Sequence, residues 1–207
     1  MRIALTFDDG PNTVTTPQVL DILEEHQIAA SFFLIADSIT PESVLQVRRA
    51  LSLGCDIQNH SRTHGFMNQM EPDQIRSEVQ YCSEQIIKIT GKAPAFFRPP
   101  YIAVNQTLFD EVDLTFICGV GCEDWVPEVP ADERARRVLD SAEDGEIVLL
   151  HDMAGNVNTV EALKTIIPEL KRRGFTFCTV TQLFAECGVT PVHNRLYSNV
   201  YQTVDRL

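Results

Sequence analysis

Residues 2–11, Arg-Ile-Ala-Leu-Thr-Phe-Asp-Asp-Gly-Pro, set the reading of the whole chain. An apolar run of strand length leads directly into two carboxylates and a Gly-Pro turn. Such a run reads as a buried strand, and its end as a place where chemistry can be mounted.

The same theme recurs along the sequence. Thr16-Pro17 opens a helix, with Pro at a favoured first position and Val19, Leu20, Ile22 and Leu23 inward. Residues 30–35 read as a second strand, 41–53 as a helix closed by Gly54, and 55–58 as a third strand. Pro72–Thr90 is the clearest helix: Ile75, Val79, Cys82, Ile86 and Ile89 fall at helical spacing, and Gly91 stops it. In the second half, 95–97 and 114–118 are strand-like and 131–141 is helical. Residues 147–150 are a strand, and 158–173 a helix that Pro168 is expected to kink. Residues 175–180 form the last expected strand, 181–187 a short closing helix, and 188–207 an irregular tail.

Strands alternating with helices imply parallel strands covered by helices, with no linker or repeat to divide residues 1–207. The expected fold is therefore a single α/β domain of about seven parallel strands. A closed or partly closed barrel and an open doubly wound sheet both fit. The lack of a GxGxxG or P-loop weakens the nucleotide-binding version.

Composition narrows the partners. The 207 residues are 44% hydrophobic and 22% charged, enough for a substantial core. Seventeen basic against 29 acidic side chains give a net charge of -12. That balance argues against nucleic acid or an anionic membrane as a partner. No apolar stretch approaches a membrane span. The six cysteines form no CxxC pair and read as reduced, buried thiols. With no signal peptide at the start, the expectation is a cytoplasmic protein; the alternative is a module of a larger secreted enzyme.

In a barrel the chemistry belongs at the C-terminal ends of the strands. There the sequence places Asp8-Asp9-Gly10-Pro11, His60-Ser61-Arg62-Thr63-His64, Arg98-Pro99-Pro100-Tyr101, Glu123-Asp124-Trp125 and His151-Asp152. His60 and His64 are four apart and on one helical turn would share a face, which suits two ligands on one metal. One of the adjacent Asp8 and Asp9 completes a three-ligand site while the other stays free as a base. Two histidines and a carboxylate also suit non-haem iron. The free Asp, the Arg and the separate His are general acid–base equipment for hydrolysis. His26 reads as a helix-end residue and His193 as a surface residue.

Together these segments resemble the polysaccharide deacetylase family, the NodB-like carbohydrate esterases. Thr6-Phe7-Asp8-Asp9-Gly10-Pro11 is similar to the family's first motif, and His60-Ser61-Arg62-Thr63-His64 to its H-[ST]-x-x-H. Arg98-Pro99-Pro100-Tyr101 is similar to R-x-P-[YF], and Leu149-Leu150-His151 to the closing L-x-H. The motifs fall in the family's order over residues 3 to about 187. Gly121-Cys122-Glu123-Asp124-Trp125 keeps only the final Asp-Trp of D-x-x-D-W, and Ile102 stands where the family commonly has Gly. The general likeness is greatest to the acetylxylan esterase branch.

The resemblance implies a distorted (β/α) barrel, which chooses between the two architectures. It also implies that Asp9, His60 and His64 hold a divalent metal, usually zinc, with cobalt and other ions also serving. By the same resemblance Asp8 is the general base, oriented and kept charged by Arg98, and His151 the general acid, oriented by Asp124. The backbone N–H of Tyr101 shares the oxyanion with the metal, and Trp125 and Leu149 wall the slot for the acetyl methyl.

The expected activity is hydrolysis of acetyl groups on a carbohydrate, foremost O-acetyl esters of xylan or xylo-oligosaccharides. The alternative substrate is an N-acetylglucosamine polymer, as in chitin oligosaccharides or peptidoglycan. A sugar-binding module without catalysis is a third reading, against which the intact Asp8, Asp9, His60, His64 and His151 speak.

Overall fold

A computed structural model describes residues 1–205. The strands are β1 (Arg2–Asp8), β2 (Ser31–Leu34), β3 (Asp56–Asn59), β4 (Phe96–Phe97), β5 (Thr115–Ile117), β6 (Val120–Gly121), β7 (Glu146–His151), β8 (Thr176–Phe177), β9 (Leu196–Asn199) and β10 (Gln202–Val204). The helices are α1 (Thr16–Glu25), α2 (Val44–Ser52), α3 (Pro72–Thr90), α4 (Gln106–Glu111), α5 (Ala131–Ser141), α6 (Val157–Arg172) and α7 (Val180–Glu186).

Following the hydrogen-bonded neighbours gives β9-β5-β4-β3-β2-β1-β7, and β9 pairs back onto β7. The ring is a distorted barrel of seven strands. Every pairing in it is parallel except the closing one, which joins Glu146 to Asn199 antiparallel. Toward the C-terminal end of β7 the closure is made instead by β6, through Val120–Val148 and Gly121–Leu149. One chain segment thus turns from β9 to β7 between β5 and β6. Gly119 sits at the turn with φ +73°, and a Cβ there would lie 2.7 Å from the Ile147 carbonyl oxygen. Only glycine meets both conditions.

The period of two along each strand sorts side chains between two environments. On β1, Ile3, Leu5 and Phe7 face outward and join Val19, Leu20 and Leu23 of α1 and Leu163 and Ile167 of α6 in one core cluster. Ala4 is in the opposite phase and packs with Phe33, Phe96, Ile117 and Ile147 inside the barrel. Thr6 shares Ala4's phase, and its hydroxyl donates to the Val148 carbonyl at 2.7 Å. Asp8 is the next residue in that phase. On β7 the outward pair is Val148 and Leu150, which leaves Ile147, Leu149 and His151 facing in. Strand periodicity alone therefore aims Asp8 and His151 into the barrel mouth.

α3 keeps the bounds read from the sequence. The Gln74 side chain accepts from the Glu71 N–H at 3.0 Å at its start, and Gly91 closes it in the left-handed conformation. α5 also keeps its bounds.

The expected helix 158–173 is α6, which carries Pro168 in its interior. Three expectations change. β8 is two residues long instead of six. Beyond Ile3 the edge of β1 that β8 uses is occupied by β2, and Thr179 with Gln182 forms a capping box that starts α7. The expected helix 41–53 begins only at Val44, after a turn. The tail is not irregular: β9 and β10 form an antiparallel hairpin, and β9 supplies a barrel strand. Residues 206 and 207 of the expected tail lie outside the described residues. Cys55, Cys82, Cys122 and Cys178 are buried thiols, not disulfide partners. No described helix is long and apolar enough to cross a membrane.

Candidate active site

Every motif singled out above converges on the C-terminal mouth of the barrel. Asp8 and His151 end β1 and β7, His60 follows β3 and Arg98 follows β4. Asp8, His60 and His151 border a cleft of about 310 Å³ that is also lined by Asp9, His64, Pro99, Tyr101, Ile102, Trp125 and Leu149, with Arg98 buried behind Asp8.

Asp9, His60 and His64 each offer a ligand atom, all within 4.8 Å of one another. Asp9 Oδ1 lies 3.4 Å from His60 Nε2 and 3.4 Å from His64 Nε2. The same Oδ1 is buried and has no hydrogen-bond partner. His60 Nδ1 lies 2.6 Å from the Arg98 carbonyl oxygen. That nitrogen must carry the proton and donate, which leaves the Nε2 lone pair facing Asp9. An orphaned carboxylate oxygen and imidazole lone pairs converging on one point are the donor set of a divalent cation. Burial pushes Asp9 up, but the closeness of the His60 imidazole, with His151 and His64, holds it at about 2. Burial and the neighbouring His60 lower His64, which favours its neutral, ligating form.

The His60–His64 segment is not the helical turn expected from the spacing. It is a loop in which Ser61 and His64 have φ of +69° and +60°. The Glu78 carboxylate of α3 accepts from the N–H groups of Arg62 and Thr63 at 3.0 and 2.8 Å, and Ser61 Oγ accepts from the His64 N–H at 3.0 Å. These bonds fold the loop back so that both rings meet Asp9.

Beside this cluster Arg98 Nη1 donates to Asp8 Oδ1 at 2.6 Å, with both side chains buried. The guanidinium lies over the Phe33 ring at 4.3 Å from its centroid. Across the cleft, Asp124 accepts from His151 Nδ1 at 2.8 Å and from the His151 N–H at 2.7 Å. Burial opposes charge on His151, but the hydrogen bond and charge of Asp124, with Asp8 and Asp9, raise it to about 9. Asp124 is fully buried and also accepts from the Thr159 hydroxyl at 2.8 Å. The Trp125 ring stands edge-on to His151 at 5.5 Å.

Four of the eight described non-glycine residues with positive φ line this cleft, Asp9, His64, Tyr101 and Ile102, and two more, Ser61 and Glu123, lie within two residues of a lining side chain. Each such residue costs on the order of 1 kcal/mol, so the strain is concentrated where side chains are aimed at the cluster.

A family model described as Polysaccharide deacetylase matches residues 1–115. This chain belongs to the polysaccharide deacetylase family. Over 199 residues it is 46% identical to a bifunctional xylanase/deacetylase of Pseudobutyrivibrio xylanivorans, covering 96% of this chain but 33% of that protein. The chain thus spans about a third of that relative's length. It is 43% identical to the crystal structure of the Xyl-CE4 domain of a multidomain xylanase from the hindgut metagenome of Trinervitermes trinervoides, with a TM-score of 0.94 over 96% of this chain and 97% of that one. A family 4 acetyl xylan esterase from Clostridium thermocellum, solved with a cobalt ion, is 40% identical with a TM-score of 0.94 over 98% and 100%. The distorted (β/α) barrel is therefore the fold of the family to which this chain belongs.

The sequence reading missed the residues that hold its site residues in place. Arg134 is buried on α5 and donates to Asn156 Oδ1 at 2.6 Å, Thr159 Oγ1 at 2.9 Å and the Val126 carbonyl at 3.0 Å. It ties the Trp125 loop to the support of Asp124. Asp152 is wholly buried, accepts from the Thr16 hydroxyl at 2.5 Å and lies against Gly10. A Cβ on Gly10 would come within 2.7 Å of Asp152 Oδ1. No periodicity marks such residues, although Asp152 directly follows His151 at a strand end.

Proposed function

We propose that the chain is a divalent-metal-dependent esterase that removes O-acetyl groups from xylan or xylo-oligosaccharides. The observation that carries the proposal is the convergence, in one cleft, of the Asp9–His60–His64 cluster with two separately buried carboxylate pairs, Asp8–Arg98 and Asp124–His151. The likeness to a xylanase/deacetylase and to an acetyl xylan esterase supports the substrate class.

In this proposal Asp9 Oδ1, His60 Nε2 and His64 Nε2 hold the ion, zinc first and cobalt as a functional substitute. When bound, a divalent ion polarises the acetyl carbonyl and makes a water acidic. Asp8 takes the proton from the attacking water. Its Oδ1 is already occupied by Arg98, so the acceptor is Oδ2, which lies 3.6 Å from His60 Nε2 and so beside the cluster. Arg98 fixes that geometry and supplies the counter-charge when the carboxylate is buried.

His151 stands at the other wall. With Nδ1 engaged by Asp124, its Nε2 carries the proton that the departing sugar oxygen needs. The raised proton affinity given by Asp124 keeps that proton in place until the C–O bond breaks. Tyr101 lines the cleft between these groups, and its N–H stabilises the oxyanion. Trp125 and Leu149 form an apolar wall that fits an acetyl methyl.

The test is an acetate-release screen across acetylated xylan, chito-oligosaccharides and peptidoglycan. Release from acetylated xylan at a rate well above the two N-acetylated substrates supports the proposal. Release confined to the N-acetylated substrates, or none at any metal loading, overturns it.

A further inference from the structure

Four aromatic rings run in an unbroken row from the metal-ligand cluster to solvent. The His60 and His64 centroids are 4.8 Å apart, and His64 and Tyr101 are 4.6 Å apart, edge to face in both cases. Tyr101 and Phe66 are 4.0 Å apart and stacked at an interplanar angle of 14°. The outer two are markedly exposed, Phe66 at 50% and Tyr101 at 54%. Tyr101 has a ring on either side of it, so Phe66 is the open end of the row. Nothing in the proposed chemistry uses Phe66.

Exposure of this kind is not the default for two adjacent aromatic side chains, and contiguous exposed apolar surface beside a cleft marks a binding surface. Phe66 is also held rigidly. The next residue, Met67, is buried, and Met67–Gln69 forms a single 3-10 turn. Asn105 Nδ2 ties that turn down by donating to the Asn68 carbonyl at 2.8 Å. Tyr101 is set on the rim by left-handed backbone at itself and at Ile102. The pair is preorganised, so a ligand meets a flat apolar face at little further entropic cost.

We infer that the Phe66–Tyr101 stack is a sugar-binding platform that takes the pyranose ring next along the glycan from the acetylated one, with Phe66 determining preference for a chain over a single sugar. The inference rests on the reading of the enzyme as a glycan deacetylase. A pyranose has an apolar face of C–H groups and a polar equator of hydroxyls, and a flat exposed ring complements the first while leaving the second in water. Continuity decides the occupant: an acetyl group placed at Asp9, His60 and His64 leaves its sugar at the cleft mouth, and the row of rings leads outward from that point. Phe66 itself does not line the cleft, so a small aryl or alkyl acetate held there does not depend on it.

Two measurements test this together. The first is calorimetric binding of unacetylated xylohexaose and chitohexaose to the protein and to its Phe66→Ala, Phe66→Leu and Phe66→Trp variants. The second is kcat/KM for acetate release from acetylated xylo-oligosaccharides and from an aryl acetate. Phe66→Ala and Phe66→Leu should each weaken hexaose binding about tenfold, while Phe66→Trp, which keeps a ring, binds as well as the parent. The ratio of kcat/KM between oligosaccharide and aryl acetate should fall about tenfold in Phe66→Ala, carried mainly by KM. Equal losses on both substrates would mean that Phe66 only props Tyr101, and would overturn the inference. So would hexaose binding that is absent in the parent or indifferent to Phe66. Phe66-dependent hexaose binding without acetate release would leave the platform standing and defeat the proposed function instead; acetate release indifferent to Phe66 would do the reverse.

Discussion

Arg98 Nη1 meets Asp8 Oδ1 at 2.6 Å in a setting where both side chains are closed to solvent, 0% and 2% exposed. A buried charge that loses its partner costs about 3–5 kcal/mol, more than the intact pair itself contributes. Arg98→Met should therefore destabilise the fold by about that amount, and Arg98→Met with Asp8→Asn should recover much of the loss. Chemical denaturation of the two single variants and the double variant checks this. Additive losses would show that the pair is not coupled.

Asp8 and Asp9 are adjacent in sequence but have different partners, so their asparagine variants should fail differently. Asp8→Asn removes the proton acceptor and should lower kcat at least about 100-fold while leaving cation affinity within a few-fold. Asp9→Asn removes a ligand and should weaken cation binding by at least about tenfold. Calorimetric titration with zinc or cobalt, run beside acetate release, separates the two. Matching losses of affinity in both variants would contradict the assignment.

The metal-free protein should bind a proton at His151 up to about pH 9, against 6.5 for an ordinary imidazole. The sign follows from the direction. A raised histidine pKa stabilises the fold fully below about 6.5, and that share is lost as pH rises through about 9. An NMR titration of the imidazole should show the raised value and its fall in Asp124→Asn. Cation loading should lower it too, because a positive charge then sits across the cleft. A titration indifferent to Asp124 would contradict the account.

Asp152 and Glu146 act on stability in the same sense, in a lower pH window. Burial raises Asp152 from 3.8 to about 7 and Glu146 from 4.5 to about 7. The folded state keeps protons that the unfolded state has released, so stability falls as pH rises from about 4 to about 7. Asp152→Asn and Glu146→Gln should each flatten that slope, measured by urea unfolding at the two ends of the window. An unchanged slope in both would show that neither carboxyl is protonated in the fold.

Gly119→Ala should be among the costliest small substitutions in the chain. The added Cβ meets the Ile147 carbonyl oxygen at 2.7 Å while the backbone stays at φ +73°. Left-handed backbone and steric overlap together cost about 2–5 kcal/mol. A thermal melt of the purified variant reads the loss directly; an unchanged midpoint would mean that the β5–β6 turn relaxes freely.

How much of this was legible in the sequence depended on whether a residue's role leaves a periodic trace. β1 and α3 were readable nearly to the residue because an apolar run and a helical stripe both repeat. β9 was not. Leu196-Tyr197-Ser198-Asn199 is buried along its whole length, so its polar residues do not mark a solvent face. The spacing of His60 and His64 found the pair that meets Asp9 but not its backbone, since a helix and a folded-back loop both bring residues four apart together. Placing Asp8 and His151 on the inner face needed only strand phase. Arg134, Asp152, Glu78 and Phe66 act through long-range contacts, which a single sequence does not display.

The central claim is that Asp9, His60 and His64 hold a catalytic divalent ion beside Asp8 and His151. The most direct measurement is acetate release from acetylated xylo-oligosaccharides by protein stripped with a chelator and then titrated with zinc or cobalt. The account predicts loss of activity on stripping and recovery that saturates at one ion per chain, with no recovery in His60→Ala or His64→Ala. Full activity in the stripped protein, or recovery in those variants, would contradict it.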